Sequence, residues 1–314
     1  MNVVVTGATG FVGRPLCAEL QVAGHQVTSL TRNPDRARAL LGPAVTNVAW
    51  GASGDVGSAS DWKQAIARSD AVIHLAGESV AGKRWTPEFK AIIRSSRVDT
   101  TRMIVDAMQE AGRGHRTLVS ASAVGYYGDC GDELVNEAHP PGRGFLPEVC
   151  VEWENTALRA RQAGVRVVLM RIGIVLGAGG ALDKMLHPLP VPVNPWKLGL
   201  GGPLGTGRQW MPWIHLDDVI GLFRWAATDA QVDGPCNTTA PVPVTNRDFS
   251  HALGRLFKRP AALAVPAFAL RALLGEFAES VLTGQKAVPA VALAHGYSFR
   301  FGNLETALGS LLPN

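Results

Sequence analysis

The sequence has few cysteines, and they lie far apart at Cys17, Cys130, Cys150 and Cys236. No two of them form a C-x-x-C pair, which argues against a zinc site and against a disulfide framework. We therefore predict no metal site. Unpaired cysteines are typical of a reducing compartment, so we expect a cytoplasmic protein.

Long apolar runs and basic tracts are also missing. Arg171, Pro266 and Arg271 interrupt the apolar segments, so no membrane association is predicted. The basic residues are scattered and not interleaved with aromatic residues, which argues against nucleic acid binding despite the net charge of +4. The chain enters an apolar strand at once, so we expect no signal peptide.

The 314 residues, of which 46% are hydrophobic, suffice for one large domain or two modest ones. Strand and helix patterns alternate over residues 1–174, which predicts an α/β fold: a Rossmann-like doubly wound parallel sheet with helices on both faces. Thr86-Pro87 predicts the start of a long helix. We expect residues 211–232 to return to this domain. Residues 175–210 and 233–314 are predicted to form a small, mainly helical C-terminal lobe on the substrate side.

A glycine turn joins the first predicted strand to the first helix. Gly7, Gly10 and Gly13 follow the apolar residues 3–5 and open a segment of helical periodicity. Gly7 and Gly10 let the backbone approach a pyrophosphate, and Gly13 lets the helix pack closely on the strand. The helix N-terminus directs free N–H groups at the phosphates. The motif predicts a dinucleotide site; an ordinary strand-to-helix turn is the alternative.

Arg32 indicates which dinucleotide is bound. It ends the second predicted strand, roughly 20 residues past the glycine motif, where an acidic residue would hold the NAD ribose and an arginine the NADP phosphate. The sequence there is Thr31-Arg32-Asn33, with no acidic residue before Asp35. A guanidinium group matches phosphate geometry, so NADP is predicted over NAD. A solvated loop arginine is the alternative.

These features resemble a known family. The chain resembles the extended short-chain dehydrogenase/reductases, and more closely an atypical branch of epimerase-family, NAD-dependent epimerase/dehydratase-like proteins. The matching stretches are residues 6–13, 74–78 with Arg84-Trp85, 95–98 with Thr100-Thr101, 126–129, and 199–203 with 212–215. The tail, residues 265–308 with Gly284-Gln285-Lys286, resembles the helical domain of unknown function that ends this branch.

The resemblance implies a Rossmann-like sheet that binds NADP or NAD and acts on a small molecule, which the sequence does not identify. A homodimer is left open. The implied cofactor contacts are Gly7, Thr9, Gly10, Phe11, Val12, Gly13, Thr31, Arg32, Leu75, Ala76, Gly77, Arg97, Ser120, Arg171, Ile172 and Ile174. The implied substrate contacts are Arg84, Trp85, Arg208 and Trp213, with Arg208 where extended members hold a sugar-nucleotide phosphate.

The proton relay of typical members is missing from this sequence. Those members use a serine, a tyrosine and a lysine, the last two spaced Y-x-x-x-K in the helix after the fifth strand. Ser122 fits the serine role, but alignment on Glu154 places Leu146 at the tyrosine position and Cys150 at the lysine position. Leucine carries no proton and a neutral thiol carries no fixed charge. The reaction therefore does not follow from the fold alone.

Tyr127 and Glu78 are the predicted replacement proton donors beside Ser122. For Tyr127 the alternative is a packed aromatic residue with a satisfied hydroxyl, and for Glu78 a helix cap or ion-pair partner. His215 is predicted to be structural, and Cys150 a small buried residue rather than a reactive thiol.

The sequence thus predicts an NADP-binding oxidoreductase or epimerase-like enzyme with an atypical proton donor. It would transfer hydride at a carbinol or carbonyl carbon. One alternative is a non-catalytic NADPH-binding protein that senses redox state or regulates a partner, with a weak link to cell division. Another is an enzyme that retains its cofactor permanently.

Overall fold

The computed structural model describes residues 1–51, 59–112, 116–186 and 194–312. Residues 52–58, within the surface loop that the sequence predicts, and residues 187–193 of the predicted lobe lie outside this range. The strands are β1 (Asn2–Thr6), β2 (Gln26–Thr31), β3 (Thr46–Ala49), β4 (Ala71–His74), β5 (Thr117–Ala123), β6 (Leu134–Val135), β7 (Arg166–Ile172), β8 (Ile174–Leu176), β9 (Trp210–Met211), β10 (Trp213–His215), β11 (Gly234–Thr238), β12 (Val244–Thr245) and β13 (Lys286–Ala287). The helices are α1 (Gly13–Val22), α2 (Pro34–Leu41), α3 (Ala59–Arg68), α4 (Pro87–Glu110), α5 (Phe145–Leu158), α6 (Ala181–Leu186), α7 (Leu216–Thr228), α8 (Asn246–Leu256), α9 (Ala267–Leu274), α10 (Glu279–Leu282), α11 (Ala290–Ala294) and α12 (Leu304–Leu311).

Seven parallel strands form the central sheet in the order β11-β7-β5-β4-β1-β2-β3. The chain runs outward from β1 to β3 on one side, and then returns to β4 on the other side of β1. Such a reversal opens a crevice at the carboxyl ends of the two central strands, where ligands of doubly wound sheets bind. The predicted Rossmann-like α/β fold is confirmed.

Helices cover both faces of this sheet. Along β1, Val3 and Val5 face one buried apolar cluster, which includes Leu16 of α1 and Phe223 of α7. Val4 points the other way, into a cluster built with α3, α4 and α5. The alternation follows from the two-residue period of a strand, and full burial of each such side chain contributes about 1.5–3 kcal/mol. Two apolar layers therefore hold the carboxyl edge of the sheet in place.

Strand β11 is a member of the sheet that the sequence did not predict. It pairs with β7 from Gly234 opposite Val168 to Thr238 opposite Ile172. The domain boundaries predicted from the sequence place residues 233 onward in the small lobe, whereas this pairing puts Gly234–Thr238 in the main domain. Gly234 and Pro235 obscure the signal, because both residues are depleted in strands except at an edge.

The remaining C-terminal residues form a mostly helical region with its own apolar cluster, in which Trp213 and Leu253 are buried. A short strand ties this region back to the sheet domain, since Lys286 pairs with Leu134 and Ala287 with Val135. Among the described residues, none of the helices combines the length and the apolar character needed to cross a membrane.

Candidate functional site

The glycine turn lies at the crevice between β1 and β4, and its three glycines differ in their surroundings. Gly7 has a φ of +67°, and a Cβ there would lie 2.9 Å from the Leu75 carbonyl carbon. A Cβ at Gly13 would collide with the Gly7 carbonyl oxygen. At Gly10 the Cβ would meet only the Gly7 oxygen, at 3.1 Å, and otherwise open space. Gly7 and Gly13 are thus required by the fold, while Gly10 faces space that a ligand can fill.

Thr6 and His74 fix the two sides of this crevice through one chain of hydrogen bonds. The Thr6 hydroxyl accepts the N–H groups of Leu75 and Ala76 at 3.1 and 3.2 Å. It therefore donates its own proton to His74 Nδ1, at 2.7 Å. The Thr100 hydroxyl donates to the Ser96 carbonyl at 2.7 Å and lies 3.3 Å from His74 Nε2. This pattern assigns a neutral His74 that is protonated on Nε2.

The neutral His74 predicts an acid-dependent loss of stability. Burial lowers the pKa of His74 to about 4, against about 6.5 for an ordinary histidine. The unfolded chain then binds a proton that the folded chain does not, so the free energy of unfolding falls as the pH drops from about 6.5 to about 4. We expect this contribution to reach about 1.4 kcal/mol per pH unit in that window. Denaturant unfolding of wild type and His74→Asn across the window measures it.

The exposed His251 supplies the control for this experiment. His251→Asn is expected to keep the wild-type pH slope, whereas His74→Asn flattens it. Equal slopes in the wild type and His74→Asn would show that the buried imidazole does not govern acid stability.

Arg32 lies directly after β2 and is exposed. Within the described residues, its guanidinium group has neither a hydrogen bond nor an ion pair. The neighbouring Asn33 is committed to the fold, since its side chain accepts the Arg36 N–H at 2.9 Å and caps α2. Among the described residues nothing pairs with Arg32, which leaves its charge available beside the crevice, as an NADP phosphate contact requires.

A buried ion pair holds the side chains of two predicted catalytic residues, Ser122 and Tyr127. Arg171 on β7 holds Glu154 on α5 with two hydrogen bonds of 2.8 Å, and the two side chains are 4% and 6% exposed. Ser122 on β5 donates to the same Glu154 carboxylate at 2.6 Å. The Arg171 side chain, an implied cofactor contact, is thus used internally. Ser122, a predicted catalytic residue, is 2% exposed and points into this pair.

Tyr127 belongs to the same interior network. Its hydroxyl donates to Asn237 Oδ1 at 2.6 Å and accepts from Arg171 at 3.0 Å, and the side chain is buried. Burial raises the pKa of Tyr127 to about 12. Asn237 lies on β11, and its amide nitrogen donates to the Val288 carbonyl at 2.9 Å. In this structure Tyr127 is the packed aromatic residue with a satisfied hydroxyl, not a group that faces the crevice.

The helix that carries the relay in typical members is apolar at the corresponding positions. Cys150 is buried on α5, and burial raises the pKa of its thiol to about 12. A protonated, inaccessible thiol fits the prediction of a small buried residue. Leu146 lies against Gly125, 3.5 Å from where a Cβ of that glycine would be.

Glu78 and Arg97 remain near the crevice. Glu78 is exposed just past β4, and its backbone N–H donates to Ser96 Oγ at 3.0 Å, which ties this loop to α4. Arg97, further along α4, places its guanidinium carbon 3.4 Å from where a Cβ of Gly77 would be. Of the three predicted catalytic side chains, Glu78 alone is exposed at the crevice.

Several other implied cofactor residues lie around the same edge of the sheet. Ser120 is fully buried and donates to the Ala121 carbonyl at 3.2 Å, so its hydroxyl faces the interior. The Phe11 ring packs where a side chain of Gly177 or Gly180 would lie. The implied positions that are partly buried are Gly7, Thr9, Phe11, Val12, Thr31, Leu75, Ala76, Arg97, Ile172 and Ile174.

The four implied substrate residues do not share one environment. Trp213 is buried in the core and donates to the Val242 carbonyl at 3.1 Å, so the structure places it in the packing and not in a cleft. Trp85 packs edge-on against Phe145, with ring centroids 5.1 Å apart. Arg84 donates to the Ala272 carbonyl at 3.4 Å. Arg208 is exposed.

Other residues that shape the site were not predicted from the sequence. Thr6 and His74 lie in stretches that carry the family resemblance but were given no role, Asn237 had no motif, and Glu154 served only as an alignment marker. A weak signal exists for two of them: Thr6 and His74 are polar residues at the last positions of otherwise apolar strands, where a doubly wound sheet builds its site. His215 is the N-cap of α7, since its Nδ1 accepts the Asp217 N–H at 3.0 Å.

Two family models match the chain. The model of the NAD dependent epimerase/dehydratase family matches residues 3–237, and that of a domain of unknown function, DUF1731, matches residues 265–311. Together they span both the sheet domain and the C-terminal helices.

Named relatives and a solved structure resemble the whole chain. Epimerase family protein SDR39U1 homolog, chloroplastic, of Arabidopsis thaliana is 40% identical over 318 residues, which cover 99% of this chain and 87% of the relative. Epimerase family protein YfhF of Bacillus subtilis is 37% identical over 315 residues, covering 100% and 99%. The crystal structure of human epimerase family protein SDR39U1 (isoform2) with NADPH matches with a TM-score of 0.85 at 32% identity, covering 100% of both chains.

Proposed function

The chain belongs to the NAD dependent epimerase/dehydratase family, and on that premise we propose that it is an NADP(H)-binding oxidoreductase or epimerase-like enzyme. The resemblance that the sequence predicted is confirmed at the level of the family. The observation that carries the choice of cofactor is Arg32, an exposed cation just past β2 that pairs with no other residue in the described ranges. The NADPH named in the human SDR39U1 structure supports the same choice.

The residues around the crevice fit such a cofactor. Gly10 leaves open space at the turn, and α1 begins at Gly13, so its first N–H groups face the position proposed for the pyrophosphate. Arg32 would hold the 2′-phosphate. When bound, NADP(H) supplies or accepts the hydride exchanged at a carbinol or carbonyl carbon. Glu78 is the proposed proton-transfer group, and the C-terminal lobe apart from β11 is the proposed substrate side.

Arg32 predicts a measurable cofactor preference. We expect Arg32→Gln to weaken NADPH binding by about ten- to a hundredfold, because a charge-assisted hydrogen bond to phosphate contributes about 1.5–3 kcal/mol. NADH lacks that phosphate, so its affinity should change by less than about twofold. Calorimetric titration of both cofactors measures the ratio.

Arg38, an exposed arginine of α2, provides a matched control. Arg38→Gln should leave the NADPH to NADH ratio at the wild-type value. If the wild type binds NADH as tightly as NADPH, or if Arg32→Gln leaves the ratio unchanged, the assignment of NADP fails.

One observation favours a second candidate, a non-catalytic NADPH-binding protein with a redox-sensing or regulatory role. Ser122 and Tyr127 direct their hydroxyls to interior partners, Glu154 and Asn237, and away from the crevice. A panel of alcohols, ketones and sugar nucleotides, followed by NADPH absorbance, separates the two candidates. Turnover that is lost in Glu78→Gln supports the enzyme. Tight NADPH binding without turnover on any substrate supports the regulatory protein.

A further inference from the structure

Helix α8 in the C-terminal lobe carries basic side chains along one face. Arg247, His251 and Arg255 are exposed at intervals of four residues, which places them one above the other on the helix. The opposite face is apolar, and its residues Phe249 and Leu253 are buried in the core of the lobe. Packing of α8 therefore accounts for its apolar face and leaves the basic face toward solvent.

An open groove continues this basic face past the end of α8. It has a volume of about 380 Å³, and its lining includes His251, Arg255, Lys258, Arg259, Pro260 and Ala261. The exposed Lys197 comes from a distant part of the chain and lies alongside, since Arg259 Nε donates to the Lys197 carbonyl at 3.1 Å. We call this surface the basic groove, and its cations are Lys197, Arg247, Arg255, Lys258 and Arg259.

The positive charge of the basic groove is largely uncompensated by the described chain. Arg255 pairs with the exposed Glu305 at 2.7 Å. Within the described residues, the guanidinium groups of Arg247 and Arg259 bond only to backbone carbonyls, and the Lys258 ammonium group has neither a hydrogen bond nor an ion pair. One carboxylate thus faces several cations, and such a surface complements an anionic partner.

Lys258 occupies a backbone position that favours glycine. Its φ is +53°, and among the described residues it is the one non-glycine in the left-handed region. The turn that ends α8 requires this conformation, because the Lys258 N–H binds the Arg255 carbonyl at 3.1 Å and the Arg259 N–H binds the Gly254 carbonyl at 2.9 Å. A Cβ is disfavoured in that region. Lysine is therefore less stable than glycine at this position.

Arg247 also runs against the local stability of α8. The helix begins at Asn246, so Arg247 lies in the first turn, where the positive end of the helix dipole favours an acidic side chain. The next residue, Asp248, follows that rule and closes a capping box with Thr245. Stability of the helix thus explains neither Arg247 nor Lys258. Departures from local rules occur chiefly at functional or strained sites, and these two share one surface.

The dimensions and surroundings of the basic groove indicate the kind of anion that fits it. Positions 247 to 258 span about 16 Å along the helix, which corresponds to about five residues of extended chain and exceeds a single phosphate group. Among the described residues of the lining there is no phenylalanine, tyrosine or tryptophan on which nucleic acid bases could stack.

Exposed apolar side chains adjoin the same groove. Leu198 and Leu200 are 60% and 55% exposed. Gly199 between them lies against the groove, since a Cβ there would be 3.8 Å from Pro260 Cδ. Cations beside exposed leucines suit a polypeptide that combines carboxylates with apolar residues.

We propose that the basic groove binds an acidic segment of a partner protein, with the carboxylates on its cations and apolar residues on Leu198 and Leu200. This inference goes beyond the proposed function and does not rest on it, because the groove shares no residue with the glycine turn or with Arg32. A partner surface of this kind is also what the regulatory candidate would need.

Two labelled peptides test the proposal on the full-length protein by fluorescence anisotropy. One repeats Glu-Glu-Leu over about 12 residues, and the other carries glutamine in place of glutamate. The wild type is expected to bind the acidic peptide at least about tenfold more tightly, and the difference should shrink as salt rises from about 50 to about 300 mM. Arg247→Glu combined with Lys258→Glu should weaken the acidic peptide by more than about tenfold. Arg38→Glu, at an exposed position of α2, should leave its affinity unchanged.

Lys258 allows binding and stability to be separated. Lys258→Gly removes both the charge and the backbone strain, so it should raise the midpoint of thermal unfolding by about 1–3 °C and weaken the acidic peptide by about two- to fivefold. Lys258→Arg keeps both features and should match the wild type in both measurements. A rise in the midpoint for Lys258→Gly with unchanged peptide affinity would overturn the role of Lys258 in binding.

A labelled oligothymidine and vesicles containing phosphatidylglycerol represent the other anionic partners. If either binds the wild type more tightly than the acidic peptide, and loses that affinity in the double charge reversal, the partner is not a protein segment. Equal affinity for the two peptides, or an equal loss in Arg38→Glu and in the double reversal, would overturn the groove itself. Selective binding of the acidic peptide that depends on Arg247 and Lys258 supports it.

Discussion

Glu154→Gln is expected to lower the free energy of unfolding by about 3–5 kcal/mol, which is the usual cost of leaving one buried charge without its partner. Arg171 now presents two N–H groups to two carboxylate oxygens, each at 2.8 Å. Glutamine keeps one oxygen and turns an NH₂ group toward the guanidinium, so one acceptor becomes a donor. Chemical denaturation of the protein without cofactor measures the loss.

The neighbouring Glu152 provides a control on the same helix. It pairs with Arg94 at 2.9 Å, but its side chain is 40% exposed. An exposed pair of this kind contributes at most about 1 kcal/mol, so Glu152→Gln should be close to neutral. If Glu154→Gln and Glu152→Gln lower the free energy of unfolding by the same amount, burial does not set the strength of the Glu154–Arg171 pair.

Replacing both Glu154 and Arg171 shows whether the ion pair stabilises the fold relative to uncharged side chains. The double substitution Glu154→Leu with Arg171→Met removes both charges together, and such replacements are often neutral or stabilising. We therefore expect the double variant to be more stable than Glu154→Gln alone. A double variant as unstable as the single one would mean that the main cost comes from the Ser122 hydroxyl, left without its acceptor, and from the Tyr127 hydroxyl, which loses the Arg171 donor but keeps Asn237.

The hydrogen bonds around the Glu154–Arg171 pair explain why two residues that the sequence predicted to be catalytic, Ser122 and Tyr127, are buried in the structure. Ser122 lies near the end of β5 and Tyr127 follows that strand, the region where typical members place their proton relay. Their partners, Glu154 and Asn237, lie 32 and 110 residues further along the chain. A sequence motif consists of residues that are close together in the chain, so it does not reveal pairs this far apart. The buried position of the two hydroxyls was therefore beyond prediction from local pattern.

Local chemistry, in contrast, predicted the local features well. The Thr86-Pro87 start of the long helix is confirmed, since the Thr86 hydroxyl accepts the Phe89 N–H at 3.2 Å. Alternating strands and helices predicted the parallel sheet because the apolar period reports which face is buried. Strand β11 was missed because it contains glycine and proline, and because its burial comes from long-range partners such as β7 and Val288.

The spacing of the three glycines predicted some of their structural roles but not all of them. The spacing predicted the turn and assigned Gly13 to helix packing, but it assigned both Gly7 and Gly10 to the approach of the pyrophosphate. In the structure, close backbone contacts occupy the space around Gly7 and Gly13, while Gly10 is open apart from the Gly7 oxygen. The coordinates were needed to separate Gly7, which the fold requires, from Gly10, which faces open space.

Gly10→Val is therefore expected to abolish NADPH binding, by more than about a hundredfold, while the protein remains folded. The side chain would enter the open space where the proposed pyrophosphate approaches the backbone, and it would block that approach. Within the protein, the Cβ of that side chain meets one atom at 3.1 Å, which a shift of a few tenths of an ångström relieves. Fluorescence titration with NADPH and thermal unfolding without cofactor measure the two effects separately.

Gly13→Ala gives the opposite result if the distinction between the glycines is right. Even a methyl group at Gly13 runs into the Gly7 carbonyl oxygen and the Ala8 backbone, so this variant should lose stability before any ligand is added, by about 1–3 kcal/mol as for an overpacked core. Gly309→Val, on an exposed face of α12 with no neighbour near its Cβ, controls for valine in a glycine position. Wild-type NADPH affinity in Gly10→Val would mean that the open turn is not where the cofactor binds, and that the motif serves only to join β1 to α1.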